Sequence, residues 1–599
     1  MKNKQVEVKM EKTSITKTTE SWNTINWAKV QRKVFKLQKR IFQAIKSGEK
    51  AKAHKLQKLL AKSYYAKLLS VRKVTQDNKG KKTAGVDGKK IIHPQQRYQL
   101  ALSLNLKGYK SKPLRRVWIS KPGKDEKRPL GIPTITDRAM QCLIKLCMEP
   151  YWEAKFEGNS YGFRPGRSTH DAIEAIFNHI RYKTKYVLDA DISKCFDKIN
   201  HKYLLDKTDC PYFKSIIKQW LKAGVMDKGI FESTDSGTPQ GGVISPLLAN
   251  IALDGMIRDI QKSFPNSITR EGKRIRGYQP KIIRYADDFV ILHHELEIIN
   301  HTQKLVNKWL EKVGLELKPS KTRICHTLND IMIDGKMEKA GFDFLGFTIK
   351  QHHVGKYQTG CNTMGEKLGF KTIIKPSKKS QQKHRIEIKR VIRTHRNAPQ
   401  DALINKLNPI IRGWSNYFST VCSKKIFSDE DRYIWENLKS WAINRSKKGK
   451  KEALNKYFSH GIHGKWTFQN KSYFLLMHSK TKIKRHIKVK DNASPYDGNW
   501  TYWSKRRGEY PETPKRVAKL LKKQKGKCNL CNQHFTPEDI VEIDHIIPKS
   551  KNGKDENNNL QALHRHCHDV KSRNDGSQDW SKNDYEWKED VVIVPMTIG

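Results

Sequence analysis

Residues 284–292 read RYADDFVIL, with two adjacent carboxylates, Asp287 and Asp288, inside a stretch that is otherwise mostly apolar from Ile282 to Leu292. Neighbouring carboxylates repel each other and resist burial unless something neutralises them. The flanking residues are strand-like in composition, so the doublet falls at a strand–turn–strand tip. Inward-pointing carboxylates at such a tip can hold two divalent cations, which clamp the attacking and leaving oxygens of an in-line phosphoryl transfer. Mg2+ takes oxygen ligands and keeps several waters, so one hairpin is not enough and another acid must come from elsewhere. The stretch YVLDADISKCFDKINH (186–201) offers Asp189, Asp191 and Asp197. Asp191 closes an apolar strand, and Ile192 beside it offers a backbone carbonyl. Adjacent strand residues face opposite sides, so Asp287 and Asp288 are not equivalent, and Asp287 is read as the stronger ligand.

The 599 residues carry 118 Lys+Arg against 60 Asp+Glu, a net charge of +58, spread along most of the chain. So basic a surface calls for a polyanion, and nucleic acid is the first candidate. No apolar run approaches the ~20 residues of a membrane span, so no membrane partner is expected. The opening MKNKQVEVKMEKTSITK has no apolar core of a secretory signal, and Glu7 and Glu11 count against an organelle address without removing it. Seven of the ten cysteines are scattered, as reduced thiols are; Cys528, Cys531 and Cys567 cluster with histidines.

Residues 27–74 are helical in pattern, with Trp27, Val30, Val34, Leu37, Ile41 and Ile45 at helical spacing and a break expected at Ser47-Gly48. Residues 80–350 alternate β-rich and helical runs. From 376 to 515 the strand signal fades and Lys, Arg, Trp and Tyr dominate; Pro511 and Pro514 mark a linker. The segment from 516 onward reads as a small unit of its own.

Several motifs now resemble one family. RYADDFVIL, DADISKCFDKINH (189–201), GTPQGGVISPLLANIAL (237–253), RVWISKPGKDEKRPLGIPTITDRAMQ (116–141), SYGFRPGRSTHDAI (160–173), LKPSKTRI (317–324) and FDFLGFTI (342–349) are similar, in order, to motifs of reverse transcriptases encoded by group II introns. IIRGWSNYF (410–418) resembles the maturase region that follows in that family. The resemblance implies that Asp191, Asp287 and Asp288, with the carbonyl of Ile192, hold two Mg2+ ions. It places Arg128 and Lys121 in a clamp for the nucleotide triphosphate, where the planar guanidinium suits phosphate. Phe196 stands where the family carries an aromatic gate against the ribose 2′-OH; the alternative is a core ring. Gln240, Gly241 and Gly242 allow close backbone approach to a nucleotide or primer. Ser245 and Pro246 read as N-cap and first residue of a helix. Lys321 matches the lysine of the next motif, or is an ordinary surface lysine.

Near the C-terminus, Cys528-x2-Cys531 and His564-x2-Cys567 have the spacing of one tetrahedral Zn2+ site, with His566 as rival to His564. The segment EIDHIIPKSKNGKDENNNLQALHRHCHDVKS (542–572) resembles HNH endonucleases. The resemblance implies His545 as general base, Asp544 and His568 as ligands of one divalent metal, and Asn559 (with Asn558 as rival) as the residue orienting His545 or its loop. A zinc ribbon that only binds DNA is the alternative.

The fold class expected is multidomain α+β. It comprises a right-hand polymerase (fingers and palm), a helical thumb or maturase domain, a helical basic DNA-binding region and a small zinc-stapled ββα-metal HNH domain. The boundaries expected are 1–79 for a basic helical extension, 80–365 for fingers and palm, 366–445 for thumb, 446–515 for the DNA-binding region and linker, and 516–599 for the nuclease. The resemblance implies RNA-directed DNA polymerase, maturase and nuclease activities. Intron RNA, target DNA and deoxynucleoside triphosphates are the expected partners, and a bacterial cytoplasmic ribonucleoprotein the expected setting. Intact Asp191, Asp287 and Asp288 argue against a splicing cofactor with a dead polymerase, and the C-terminal nuclease argues against a retron-type enzyme.

Overall fold

The computed structural model describes residues 21–120, 127–446, 449–460 and 466–575; Lys121, expected in the triphosphate clamp, lies outside them. The centre of the molecule is a four-stranded antiparallel sheet in the order Arg323–His326, Tyr186–Asp191, Asp288–His293, Lys281–Tyr285. Its two faces bury different cores. Leu188, Ala190, Ile282, Phe289 and Ile291 join the helices Trp27–Lys46, Lys50–Lys62, Tyr64–Arg72 and Ile135–Glu153. Val187, Ile283, Val290 and Leu292 join helix Thr169–Ile180 and the hairpin Phe342–Phe344/Phe347–His353. Burial on both faces is why FVIL is a continuous apolar run rather than an alternation.

The N-terminal helices break at Gly48, whose φ of +77° suits glycine. They share one core with the rest of the polymerase region. Pro150 sits inside helix Ile135–Glu153 and has no N–H for the carbonyl four residues back; the Gln38 amide from the first helix donates to that Leu146 carbonyl at 2.9 Å.

A second sheet orders Lys127–Ile132, Leu114–Ser120, Val225–Asp227, Ile230–Glu232. Downstream, helices Lys378–Thr394, Gln400–Tyr417 and Lys424–Ser446 pack around Ile388, Leu403, Leu407, Ile434 and Leu438. The region of fading strand signal still contains a hairpin, Phe458–His460 with Trp466–Phe468. Ser245 corrects the sequence reading by one position. It is the first residue of helix Ser245–Leu253 rather than its cap, and its hydroxyl donates to the Pro239 carbonyl at 2.8 Å.

The expected linker is also corrected. Pro511 and Pro514 flank a turn between helices Trp500–Glu509 and Lys515–Lys523, which pack on each other. Gly526 lies so close to Ser504 that a Cβ would meet the Ser504 Cβ at 2.0 Å. The segment before the turn is anchored on the polymerase core. Buried Asp171 accepts from His486 Nε2 (2.9 Å), from the Val489 N–H (2.8 Å) and from Arg506. Against the cost of burial, His486 and Arg506 hold the Asp171 carboxyl well below its ordinary range.

The C-terminal unit, strands Val541–His545 and Leu560–His564 with helix Arg565–Asn574, is docked on the N-terminal helices. Arg72 meets Asp569 at 3.0 Å, the Gln533 amide donates to the Ala28 carbonyl at 2.9 Å, and Trp500 stacks on His534. Glu538 bonds Lys73 and lies 3.9 Å from Lys145; Lys73 above all holds its carboxyl below the usual range. Glu538→Ala leaves both ammonium groups without this partner. It is expected to cost about 1.5–3 kcal/mol of docking energy, the range for a hydrogen bond to a charged group. Limited proteolysis should then cut between residues 509 and 527 in the variant, at a site protected in the parent protein.

Candidate active sites

The RYADDFVIL hairpin is closed by Ala286 and Asp287, with Tyr285 paired to Asp288. Ala286 takes a left-handed φ of +56°, uncommon for a residue with a Cβ. Three surrounding groups hold it there. Fully buried Arg284 donates to the Ala286 carbonyl (3.1 Å), Ser160 Oγ (2.8 Å) and Asn250 Oδ1 (3.3 Å). Asn250 in turn donates to the Gly162 carbonyl at 2.8 Å, and a Cβ on Gly162 would lie 2.3 Å from the Ala286 nitrogen. None of Arg284, Asn250, Ser160 or Gly162 was singled out from sequence, although all lie within the quoted motifs.

This turn brings the acids together. Asp191 and Asp288 are direct cross-strand partners, so their side chains share a face. Asp287 lies in the turn, and its carbonyl accepts from the Ile192 N–H at 3.3 Å. Burial, reinforced by Asp287 and Asp191, pushes the Asp288 carboxyl up to about 8; burial also raises Asp287. Buried carboxylates this close are a site that asks for cations. Lys321 is exposed, and its ammonium lies 2.5 Å from Asp191 Oδ2. Asp189 points along the same face but faces Arg323 at 3.8 Å, and Asp197 sits in the short helix Cys195–Lys198, outside the cluster.

Around the acids, Arg128 lies on strand Lys127–Ile132, and its charge acts on both Asp197 and Asp287. The Phe196 ring is half-buried and meets Phe163 edge-on at 6.0 Å. The glycines after Gln240 serve a contact within the protein. The Gln240 carbonyl accepts from the Gly131 N–H at 2.7 Å, and a Cβ on Gly241 would meet the Gly131 carbonyl at 2.7 Å.

In the C-terminal unit the ligand atoms of Cys528, Cys531, His564 and Cys567 lie within 4.8 Å of one another, a set that could hold zinc. His564 Nδ1 faces Cys531 Sγ at 3.4 Å, while its Nε2 faces Asp539 Oδ2 at 3.4 Å, the carboxylate–histidine arrangement common behind metal-bound imidazoles. His566 stacks on His564 and is not a member of the set. Beside this cluster, His568 Nε2 lies 3.6 Å from Asp544 Oδ1. His545 Nε2 faces Asp555 Oδ1 at 3.2 Å. Asn559 orients the loop rather than His545: its side chain accepts from the Ile547 N–H (2.8 Å) and donates to the Ile547 and Lys554 carbonyls (3.0 and 2.9 Å). Asp555, which orients His545, was missed because nothing in the sequence spacing pairs it with that residue.

Gly162→Ala forces a methyl group against the Ala286 backbone. It should cost about 1–3 kcal/mol of overpacking strain and lower primer extension at least tenfold. Nicking by the C-terminal unit, measured in the same preparation, should be unchanged.

Comparison with known proteins finds four family matches along the chain. Residues 119–349 match the family described as reverse transcriptase (RNA-dependent DNA polymerase), and 22–104 the N-terminal domain of reverse transcriptase. Residues 381–458 match the group II intron maturase-specific domain, and 528–574 the HNH endonuclease family. The chain is 33% identical over 317 residues to protein YkfC of Escherichia coli, across 47% of this chain and 80% of that protein. It is 33% identical over 257 residues to the group II intron-encoded protein LtrA of Lactococcus lactis, across 41% of each chain. It is 26% identical over 400 residues to maturase-like protein 1 of Euglena gracilis, across 65% of this chain and 76% of that one. With acids, maturase-specific region and HNH unit joined in one polypeptide, the chain belongs to the group II intron-encoded reverse transcriptases that carry maturase and HNH endonuclease domains.

Proposed function

We propose that the protein copies its own intron RNA into DNA at a site that its nuclease has nicked, and that it also binds the unspliced RNA and promotes splicing. The observation that carries this reading is the convergence of Asp191, Asp287 and Asp288 at one end of the two inner strands of the central sheet, in a chain that also assembles Asp544, His545 and His568. In the hand description, the sheet bearing the acids is the palm, the sheet of Leu114–Ser120 the fingers, and the helices Lys378–Ser446 the thumb. No helix among the described residues is long and apolar enough to cross a membrane. The proposed setting is a bacterial ribonucleoprotein with intron RNA.

Asp191, Asp287 and Asp288, with the Ile192 carbonyl, would hold two Mg2+ ions. Ions held there would supply Lewis-acid stabilisation of charge on the phosphoryl oxygens and of the ionised primer hydroxyl. Arg128 receives the triphosphate from the fingers side, its guanidinium acting as a planar donor. Lys321 restrains Asp191 at the edge of the site. Phe196, braced by Phe163, stands beside the sugar and excludes a 2′-OH. Gln240 and Gly241 support the fingers strand through Gly131 and so fix the floor under the incoming nucleotide. At the nuclease site, His545, oriented by Asp555, takes the proton from the attacking water. Asp544 and His568 would hold the divalent metal, and a structural Zn2+ at Cys528, Cys531, His564 and Cys567 would staple the hairpin to its helix. The 3′-OH left by the nick is the primer for the polymerase.

Two variants separate the activities. Asp287→Asn should lower deoxynucleotide incorporation on an RNA template by a factor of about 10²–10³, the scale lost with a principal electrostatic group, with nicking intact. His545→Ala should abolish nicking with primer extension intact. Loss of both activities in either variant would overturn the division of labour.

Phe196→Ala should raise ribonucleotide incorporation relative to deoxynucleotide by about tenfold or more. Each factor of ten corresponds to ~1.4 kcal/mol of discrimination. An unchanged ratio of kcat/KM for the two sugars would show that the ring is packing only.

A further inference from the structure

The nuclease site contains a cation that the proposed mechanism leaves unused. Lys571 lies on helix Arg565–Asn574, one turn beyond His568. Its ammonium sits among three oxygens: the His545 carbonyl at 2.7 Å, Asp575 Oδ2 at 2.6 Å and Asp544 Oδ2 at 3.1 Å. The side chain is largely withdrawn from solvent, with 15% of it exposed. An exposed lysine gains little from one ion pair; one held by three acceptors, including a main-chain carbonyl, is fixed in place.

The two oxygens of Asp544 are used differently. Oδ1 faces His568 Nε2 at 3.6 Å, on the side where the metal would sit. Oδ2 faces away, accepting from the Gln561 amide at 2.8 Å and meeting Lys571 at 3.1 Å. With Oδ2 held by two donors, the carboxylate has one orientation, and Oδ1 is the oxygen left to face His568. Through the His545 carbonyl, the same ammonium restrains the backbone that carries the base.

We propose that Lys571 is a positioning residue of the nuclease: it locks the metal-ligand carboxylate of Asp544 and the main chain of the base His545 in one geometry, with Gln561 as its partner on Asp544. This rests on the nuclease reading given above. Groups that orient a metal ligand from behind typically change metal affinity or activity by about 10–100-fold when removed. Lys571→Met keeps the length of the side chain and removes the charge and the donors. Lys571→Arg keeps both.

The test uses the full chain. Nicking of a labelled DNA duplex carrying the target site is followed across a Mn2+ titration. Direct Mn2+ binding is followed by electron paramagnetic resonance in protein carrying Asp191→Asn and Asp287→Asn, which disables the other acidic site. Lys571→Met should weaken Mn2+ binding and raise the metal concentration for half-maximal nicking by about 10–100-fold. Saturating metal should recover much of the rate, and Lys571→Arg should lie near the parent. Primer extension and bound zinc should not change, which separates loss of positioning from loss of fold. Gln561→Leu should shift the metal titration in the same direction. A Lys571→Met protein with the parent's metal titration would overturn the proposal. So would a loss of nicking that excess metal does not recover, or that comes with loss of zinc. A parent protein that nicks under no metal condition would instead overturn the nuclease reading, and this inference with it.

Discussion

The polymerase site depends on one buried guanidinium. Arg284 carries its charge in a position with no solvent exposure, among Ser160, Asn250 and the Ala286 carbonyl, with the carboxylates of Glu157 and Asp254 acting on it from nearby. Burying a charge there is offset by the bonds of its two terminal nitrogens and by the opposite charges nearby, while its Nε finds no acceptor among the described residues. What this network secures is a two-residue turn with a non-glycine residue at positive φ. The strain at Ala286 is local, and the surrounding structure over-determines it. Without that turn, Asp287 and Asp288 have no fixed relation to Asp191.

The same economy runs through the arginines of a very basic chain. The SYGFRPGRS loop looks suited to nucleic acid, yet Arg164 points inward to make a paired contact with Glu153 at 2.9 Å, and Arg167 donates to the Gly158 and Asp491 carbonyls at 2.7 Å. These side chains build the loop that supports the acidic turn. Positive charge in this protein therefore has two uses, a solvated surface for polyanions and a set of internal forks that tie loops to the core. Composition alone cannot divide them.

The nuclease is held by the polymerase rather than tethered to it. Glu538 and Asp569 join the two ends of the chain through ion pairs with Lys73 and Arg72, and Asp171 packs the segment 486–506 on helix Thr169–Ile180. A docked nuclease fits the proposed order of events, in which the nick made at one site supplies the primer for the other.

By itself the sequence determined the two strands flanking the acidic turn and the strand that ends at Asp191, the helix break at Ser47-Gly48, the acids and the cysteine–histidine set. Each of these is written in local periodicity, in a turn residue or in close spacing, which physical rules read directly. Only the tertiary structure decided that Asp191 pairs with Asp288, that Lys321 meets Asp191, that Gly241 packs on Gly131, and that Asn559 clamps a loop while Asp555 orients His545. It also turned an expected linker into a packed turn. The physical reason is the same in each case. These outcomes rest on side chains brought together from separate strands, loops and helices, and local pattern carries no term for what a residue will meet once the chain has closed around it.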